Sequence, residues 1–507
     1  MKIVKGLLLG TAASLVAVAG AQAADLPVKA KPVEYVKVCS LYGAGFFYIP
    51  GTDTCIKIGG AVRVQAEFNA GAGGIPVGFG NATEAGQGRQ TRADTNDVNQ
   101  RTRIYFSVDA RQQTEYGTLR TYFRFGVQQT SPADPVTGAT FWDRAFIQFA
   151  GFTVGKTISF FDGVTFADFN YNNPRTLGDT GPNGITLWAY TAQLGNGISA
   201  TLSAEDPTAR GKSVTNTQIA GTWGLGALTT DAGLAGQSAT NNGFLYPDVI
   251  GALRVDQAWG SAQLQAALHD ASGAYYGTTT TGAQQFGHPG NAYGYAVGGA
   301  LVLNAPGFGA TSNVNSQPNV DQFKVQAVYA KGAAAYTTNG IGAYQLYGGG
   351  QSVGLAWLTD GVYGSGTSVE LTRTWSVTGG FQHLWTPNWR TSVYGGYLDV
   401  NYDSVAQGLI APGGAFTGGP VGGTGFASGS GTINPNFHVW QAGTRTQWNP
   451  VSQLDVGVDL LYSKLQLADS GAVVGLPANG ARPAGTYTLG DQDVWSVLFR
   501  VQRNFWP

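Results

Sequence analysis

The 507-residue chain has few charged residues, and this shortage limits the classes of protein to which it can belong. Asp, Glu, Lys and Arg make up 12 % of the sequence, whereas about 25 % is usual in soluble domains. The formal net charge is −1, so the composition gives no sign of a nucleic-acid-binding surface. Two cysteines and four histidines that do not cluster along the chain do not suggest a metal site, and no cofactor is expected.

Long apolar runs are also missing after the N-terminal end of the chain. The first residues are basic, an apolar stretch follows, and Ala21-Gln22-Ala23 has the small-residue pattern that precedes signal cleavage. The apolar stretch is short for a membrane-spanning helix, although a retained helix is the alternative. Residues 1–23 are therefore predicted to be a secretory signal peptide. The mature chain, 24–507, is expected to leave the cytoplasm of a Gram-negative bacterium.

The scarcity of cysteine gives the two that are present a specific meaning. Cys39 and Cys55 are sixteen positions apart, near the predicted mature N-terminus. Two cysteines in a short stretch of an exported protein usually pair. A disulfide between them is therefore predicted, and two free thiols are the alternative.

What the chain has in abundance is an alternation of polar and apolar residues. A stretch of about ten alternating residues recurs about sixteen times between residues 55 and 505, as in Gln100–Arg111. Successive side chains of a strand point to opposite faces, so each stretch predicts a strand with one polar and one apolar face. The 76 glycines and 12 % aromatic residues fit glycine-rich loops and aromatic belts at membrane surfaces. The predicted fold is all-β, a single transmembrane antiparallel up-and-down β-barrel of sixteen strands, uncertain by two.

Strands are predicted where the alternation is clearest, and the connections between them alternate between long loops and short turns, as in outer-membrane barrels. Residues 24–54 form an N-terminal segment, and 207–245 and 332–366 leave room for extra strands, such as Gln218–Gly224. The sixteen predicted strands are 55–68, 100–111, 117–129, 141–150, 152–158, 184–194, 198–206, 246–258, 261–271, 292–303, 320–331, 370–385, 388–402, 436–448, 452–465 and 491–505.

The third long loop, 160–183, has an unusual composition. Five aromatic residues lie within its first dozen positions, and it also carries three aspartates. Exposed loops rarely bear that much aromatic surface unless it packs on something. The loop is therefore expected to fold back into the barrel and to narrow it. The expected acidic residues of the constriction are Asp162, Asp168 and Asp179.

The first four predicted strands carry basic residues on their polar faces. A charge that faces lipid costs about 2–4 kcal/mol at the bilayer midplane, so these side chains are expected to point inward. Cations that face the loop carboxylates across a narrow gap would create a transverse field. The alternative is a structural role, in which the arginines pair with Asp109, Glu115 or Asp143. The expected basic residues of the pore wall are Arg63, Arg101, Arg103, Arg120, Arg124 and Arg144.

Signatures of catalysis are weak throughout the chain. No Gly-x-Ser-x-Gly motif occurs between a predicted strand and a predicted helix. The four histidines, His269, His288, His383 and His438, are scattered. No catalytic residue is predicted, and the protein is not expected to be an enzyme.

The mature N-terminus resembles that of a known family. The stretch Ala24–Gly60, with its two cysteines, together with Tyr246–Gly260 and Thr372–Trp375, is similar to the alphaproteobacterial porins, the rhizobial and Brucella-type porins of the outer membrane. The resemblance implies a homotrimer of sixteen-stranded barrels through which small hydrophilic solutes and ions diffuse. It also implies that Asp162 and Asp168 lie on a constricting loop opposite the arginines of the wall.

Three other functions stay open at this point. A substrate-selective channel of the same architecture is one, because Tyr171, Trp188 and Tyr190 could form an aromatic track for sugars. An outer-membrane barrel enzyme is the second, and it would need a nucleophile and a base that the sequence does not reveal. A soluble β-sandwich or adhesin is the third, since its strands alternate in the same way.

Overall fold

The alternating stretches form the strands of one closed antiparallel barrel. The computed structural model describes residues 37–68, 98–131, 134–172, 174–181, 183–217, 243–276, 286–305, 320–339, 343–346, 350–410, 434–476 and 485–505. In this part of the chain, sixteen long strands each pair with their neighbours in sequence, and the last strand pairs with the first. The predicted fold class and the predicted strand number are confirmed. No helix among the described residues is long and apolar enough to cross a membrane.

The observed strand boundaries follow the predicted ones closely. The clearest difference is at β4, which begins at Asp134 rather than near residue 141, so that only two residues separate it from β3. The barrel strands are β1 Cys55–Phe68, β2 Val98–Thr114, β3 Gly117–Ser131, β4 Asp134–Phe149, β5 Phe152–Thr157, β6 Ile185–Gly195, β7 Ile198–Glu205, β8 Asp248–Gln257, β9 Gly260–Asp270, β10 Tyr293–Ala305, β11 Asp321–Lys331, β12 Arg373–Thr386, β13 Trp389–Asn401, β14 Phe437–Trp448, β15 Leu454–Leu467 and β16 Gln492–Asn504.

The outer face of the barrel is apolar, as the alternation predicts. On β2 the side chain of Ile104 is 51 % exposed, whereas that of the next residue, Tyr105, is 7 % exposed. Aromatic side chains pair across neighbouring strands, for example Trp389 with Trp448 at 5.6 Å between ring centroids. An apolar, aromatic-rich exterior around a polar interior is the arrangement of a barrel that lies in lipid.

Short strands and helices occur outside the sixteen barrel strands. The strand Gly361–Tyr363 pairs with Val214–Asn216, and Ser352–Trp357 pairs with Gly485–Leu489, so the connections after β7, β11 and β15 are tied together. The segments 207–245 and 332–366 thus contain short strands, while Gln218–Gly224 lies outside the described residues. Further short elements are the strands Phe47–Tyr48, Ala343–Leu346, Glu370–Leu371 and Val473–Leu476, the 3-10 helices Ser40–Tyr42, Pro207–Ala209 and Ala334–Tyr336, and the α-helix Ser404–Ile410.

The described chain begins in a small segment that is covalently joined to β1. Cys39 and Cys55 form the predicted disulfide, and the buried side chain of Phe46 packs beside them. Residues Phe47–Tyr48 pair with the first residues of β1. The predicted signal peptide, 1–23, and residues 24–36 lie outside the described residues.

Replacing Cys39 and Cys55 with serine is expected to loosen this N-terminal segment and to leave the barrel closed. In the chain-entropy model a disulfide that closes a loop of this size stabilises by roughly 3 kcal/mol. Limited proteolysis should therefore remove the segment before β1 faster in the double variant than in the wild type. Equal cleavage rates, with both proteins folded, would show that packing alone holds the segment.

Candidate functional site

The described residues of the connection between β5 and β6, within 158–184, lie inside the barrel, and this connection is called the inner loop below. Its aromatic side chains Phe161, Phe166 and Phe169 are buried. Phe166 and Phe169 pack with Val164, Leu177 and Ala300 of β10. The aromatic residues that set this segment apart in the sequence thus cover part of the inner wall.

Hydrogen bonds fix the middle of the inner loop to the far wall. The backbone N–H groups of Tyr171 and Asn172 both donate to the carboxylate of Asp459 on β15. The hydroxyl of Ser392 on β13 donates to the carbonyl of Phe169. The loop therefore leaves the wall at β5, reaches β13 and β15 across the interior, and narrows the space enclosed by the barrel.

Asp162 lies at the start of the inner loop and is buried in a network of its own. Its carboxylate pairs with the guanidinium of Arg210, which lies in the connection after β7. It also accepts hydrogen bonds from the backbone N–H and the hydroxyl of Thr180, at 2.7 and 2.6 Å. Arg210 in turn donates to the carbonyl of Gly178 at 2.9 Å. This pair joins both ends of the loop to a second connection.

The other two aspartates of the inner loop also have protein partners. Asp168 forms an ion pair with Lys324 of β11, at 2.5 Å between Nζ and Oδ2. Asp179 accepts a hydrogen bond from the side-chain amide of Asn339 at 3.2 Å. Burial and the nearby carboxylate of Asp162 raise the pKa of Asp179 to about 6. A constricting role for these three aspartates stays a prediction.

The predicted arginine wall divides into two groups. The first group has carboxylate or carbonyl partners. Arg120 pairs with Asp109 at 2.9 Å, and Arg124 pairs with Asp143. Arg144 donates to the carbonyl of Gly181 in the inner loop at 2.6 Å. The pairings with Asp109 and Asp143 are those of the structural alternative.

The second group, on β1 and β2, donates hydrogen bonds to neutral side chains, and its member Arg101 also interacts electrostatically with Glu67. Arg63 donates to Gln502 at 2.6 Å. Arg101 donates to Gln65 at 2.7 Å. Arg103 donates to the hydroxyl of Tyr105 at 2.8 Å. All three lie on the inner face of the barrel, and their role in the pore stays a prediction.

The three aromatic residues considered for a sugar track do not lie on one surface. Trp188 and Tyr190 lie on the outer face of β6 and are exposed. Tyr171 is buried on the inner loop. The reason is the period of two in a strand, which sends positions 188 and 190 to the face opposite that of 187 and 189.

The sequence analysis predicts pore-wall residues only on the first four strands, so it does not include several basic residues of the inner face. Arg390, Arg445 and Arg500 belong to β13, β14 and β16 and are basic positions on the polar faces of their strands. Their place in the alternation was the available signal. Lys324 of β11 gave the same signal, whereas Arg210 did not, because it lies in a connection without regular alternation.

A buried histidine joins further segments near Arg210. The Nδ1 atom of His269 lies 2.8 Å from Asp248, and its Nε2 atom lies 3.4 Å from Asp360. The hydroxyl of Tyr336 donates to Asp248 at 2.6 Å, and the guanidinium of Arg210 lies 4.4 Å from the Tyr336 ring centroid. The anchor of the inner loop therefore continues into the connection after β11.

A cleft of about 340 Å³ lies between the inner loop and strands β8–β11. Its lining combines apolar and polar side chains and carries both signs of charge. Within the described ranges, no group of three or more His, Cys, Asp or Glu residues is arranged to hold a metal ion. The residues that line the cleft are Ile158, Asp162, Gly163, Val164, Thr165, Asp168, Asp179, Gly181, Arg254, Ser261, Val302, Gln322 and Lys324.

Comparison with known proteins agrees with this architecture. The model of a family described as a porin subfamily matches residues 25–498. Porin Omp2b of Brucella abortus is 32 % identical over 270 residues, which is 51 % of this chain and 64 % of that porin. Porin Omp2b of Brucella melitensis gives the same values. The match thus spans slightly less than two thirds of the length of these relatives.

A solved structure shows the same fold. The outer membrane channel DcaP of Acinetobacter baumannii superimposes with a TM-score of 0.55 at 15 % sequence identity, over 90 % of this chain and 99 % of that one. At this identity the likeness concerns the barrel alone. Because the family model covers nearly the whole sequence, the chain belongs to this porin subfamily and is a protein of the Gram-negative outer membrane.

Proposed function

We propose that the protein is a water-filled pore for the passive diffusion of small hydrophilic solutes and ions. The observation that carries the proposal is the inner loop, which crosses a charged interior and is fixed to β13 and β15 through Ser392 and Asp459. A narrowed polar passage through an apolar-faced barrel conducts solutes according to size and charge. Its family and the relatives named as porins support the proposal.

The constriction is proposed to lie between the inner loop and the wall formed by β1–β4. On the side of the inner loop, the proposed acidic residues are Asp162, Asp168 and Asp179. The cations of the wall lie opposite them. On the wall the proposed residues are Arg63, Arg101, Arg103, Arg120, Arg124 and Arg144. The proximity of Arg144 to the Gly181 carbonyl supports this arrangement.

Conductance of the purified protein in planar bilayers tests the function. We expect stepwise insertion of open channels and swelling of protein-loaded liposomes that falls smoothly as the size of a neutral sugar increases. If one sugar enters much faster than other sugars of similar size, a substrate-selective channel is favoured instead. Failure of the folded barrel to conduct at all would contradict the proposal.

The mature protein is proposed to be residues 24–507 after removal of residues 1–23, and to assemble as a homotrimer in outer-membrane lipid. Exposed outward aromatic residues such as Trp142, Phe152 and Trp188 support association between barrels. Light scattering in mild detergent should give three times the mass of the chain. A monomer under every mild condition would count against the trimer, and N-terminal sequencing tests the cleavage site.

A further inference from the structure

Three arginines of the inner face have no carboxylate partner among the described residues. Arg63, Arg103 and Arg500 form no ion pair within 4.0 Å in the part of the chain that the structure describes. Arg63 and Arg103 donate to neutral groups, and Arg500 donates to the carbonyl of Tyr171 at 3.4 Å. All three are only partly buried, so they are accessible from the lumen.

These three guanidinium groups converge on two tyrosines. The guanidinium carbon of Arg500 lies 4.0 Å from the ring centroid of Tyr171, which the inner loop carries. Those of Arg63 and Arg103 lie 5.2 and 5.5 Å from the ring centroid of Tyr105. Arg63 interacts electrostatically with both Arg103 and Arg500. Three positive charges thus lie close together around the rings of Tyr105 and Tyr171.

Two deeper arginines add to the positive charge near Tyr171. The guanidinium carbon of Arg445 lies 5.2 Å from its ring centroid. Arg390 is fully buried, and none of its three guanidinium nitrogens has a hydrogen-bond partner among the described residues. Burying a guanidinium that lacks hydrogen-bond acceptors is disfavoured, and Asp455 and Asp168 act on Arg390 only electrostatically, without a hydrogen bond among the described residues. The set Arg63, Arg103, Arg390, Arg445 and Arg500 is called the Tyr171 cluster below.

The acidic groups of the loop do not neutralise the Tyr171 cluster. Asp162 and Asp168 are already paired with Arg210 and Lys324. Asp459, which holds the loop backbone, accepts from Tyr171, Asn172 and the hydroxyl of Tyr394. Asp459 and Asp455 also interact electrostatically with Arg445 and Arg390, but two carboxylates do not balance the five arginines of the cluster. The region around Tyr171 therefore carries excess positive charge in a narrow passage, where screening by salt is weak.

We propose that the Tyr171 cluster binds small oxyanions, such as phosphate and its monoesters, and that the pore consequently prefers anions. Planar guanidinium forks match the paired oxygens of phosphate and carboxylate groups, whereas a spherical halide uses only their charge. This inference rests on the proposed pore function and names its substrate class. Binding itself requires only the folded barrel.

Two measurements on the detergent-solubilised and bilayer-inserted protein test the site. The first is calorimetric titration of inorganic phosphate against chloride at constant ionic strength. The second is the reversal potential in a potassium chloride gradient, with and without millimolar phosphate. For the wild type we expect saturable phosphate binding, a reversal potential of the sign of anion preference, and a chloride current reduced several-fold by phosphate.

Matched variants separate the effect of the positive charge of the arginines from the effect of the planar shape of the guanidinium group. In Arg63→Gln/Arg500→Gln we expect phosphate binding to weaken at least tenfold and the anion preference to fall. In Arg63→Lys/Arg500→Lys the anion preference should persist, while phosphate binding weakens because the fork is lost. Arg111→Gln removes a cation that is paired with Asp109 and should leave phosphate binding unchanged.

The outcomes distinguish this inference from the proposed function. Phosphate binding without any conductance would preserve the site and contradict the pore. Conductance without phosphate binding, or with a cation preference, would contradict the proposed oxyanion site and would still support the proposed pore function. Unchanged phosphate binding in the lysine variant would show a general electrostatic effect and would also overturn the oxyanion site. Heat-dependent gel mobility confirms folding of each variant.

Discussion

Replacing Arg210 with methionine is expected to release the inner loop and to raise the single-channel conductance. Arg210 and Asp162 are both buried, so the substitution leaves the Asp162 carboxylate without its cation. Breaking a buried pair in this way costs about 3–5 kcal/mol. The loop can avoid that cost by moving Asp162 to water, which opens the passage. We expect larger current steps, stronger current fluctuations and faster proteolysis within the loop.

The double variant Asp162→Asn/Arg210→Met is the control for this experiment. It removes both charges of the ion pair, so the Asp162 carboxylate is not left without its cation, and part of the wild-type conductance should return. The interactions of Arg210 with the buried carboxylates of Glu205 and Asp179 are lost in both variants. An uncoupled pair would instead give additive changes, since independent sites add. If Arg210→Met leaves conductance, fluctuations and proteolysis unchanged, the pair does not hold the loop, and its anchors at Ser392 and Asp459 suffice.

The same buried pair shows why the sequence predicts the barrel better than the site. Strands such as β2 and β3 are local patterns, and the period of two fixes which side chains face lipid. The partner of Asp162 is 48 residues away at Arg210, in a connection without regular alternation. No periodicity relates two such positions. The sequence therefore identifies the aspartate as a candidate, but it does not predict that Arg210 is its ion-pair partner.

The sequence also does not predict which of the inward arginines pair with a carboxylate. Arg120 and Arg103 look equivalent as inward basic positions, yet Arg120 has the carboxylate of Asp109 and Arg103 has the hydroxyl of Tyr105. The difference depends on cross-strand register, which places Arg120 opposite Arg111 and brings both arginines to the carboxylate of Asp109. Register follows from turn lengths and from the whole hydrophobic pattern, so the pairing is a property of the closed barrel.

Placing an arginine at Leu202 is expected to destabilise the barrel strongly, whereas an arginine at the adjacent Thr201 should be tolerated. Leu202 lies on the outer face in the centre of β7 and is 64 % exposed, opposite Tyr190 of β6. A cation on the lipid face costs about 2–4 kcal/mol at the midplane. Thr201 points inward and shares only a hydroxyl hydrogen bond with Thr191, at 2.9 Å, so its loss costs about 1 kcal/mol.

Urea titration of both variants in lipid vesicles measures the difference. At roughly 1.4 kcal/mol per tenfold change, the lipid-face cost lowers the folding constant of Leu202→Arg by between about 30-fold and 700-fold. Because both variants add the same charge at neighbouring positions, a general effect of charge on insertion would shift them equally. Equal destabilisation would mean that position 202 does not face lipid, either because the register of β7 differs or because a second barrel covers that face. A large gap between the two variants would place the membrane directly against the outer side of β6 and β7.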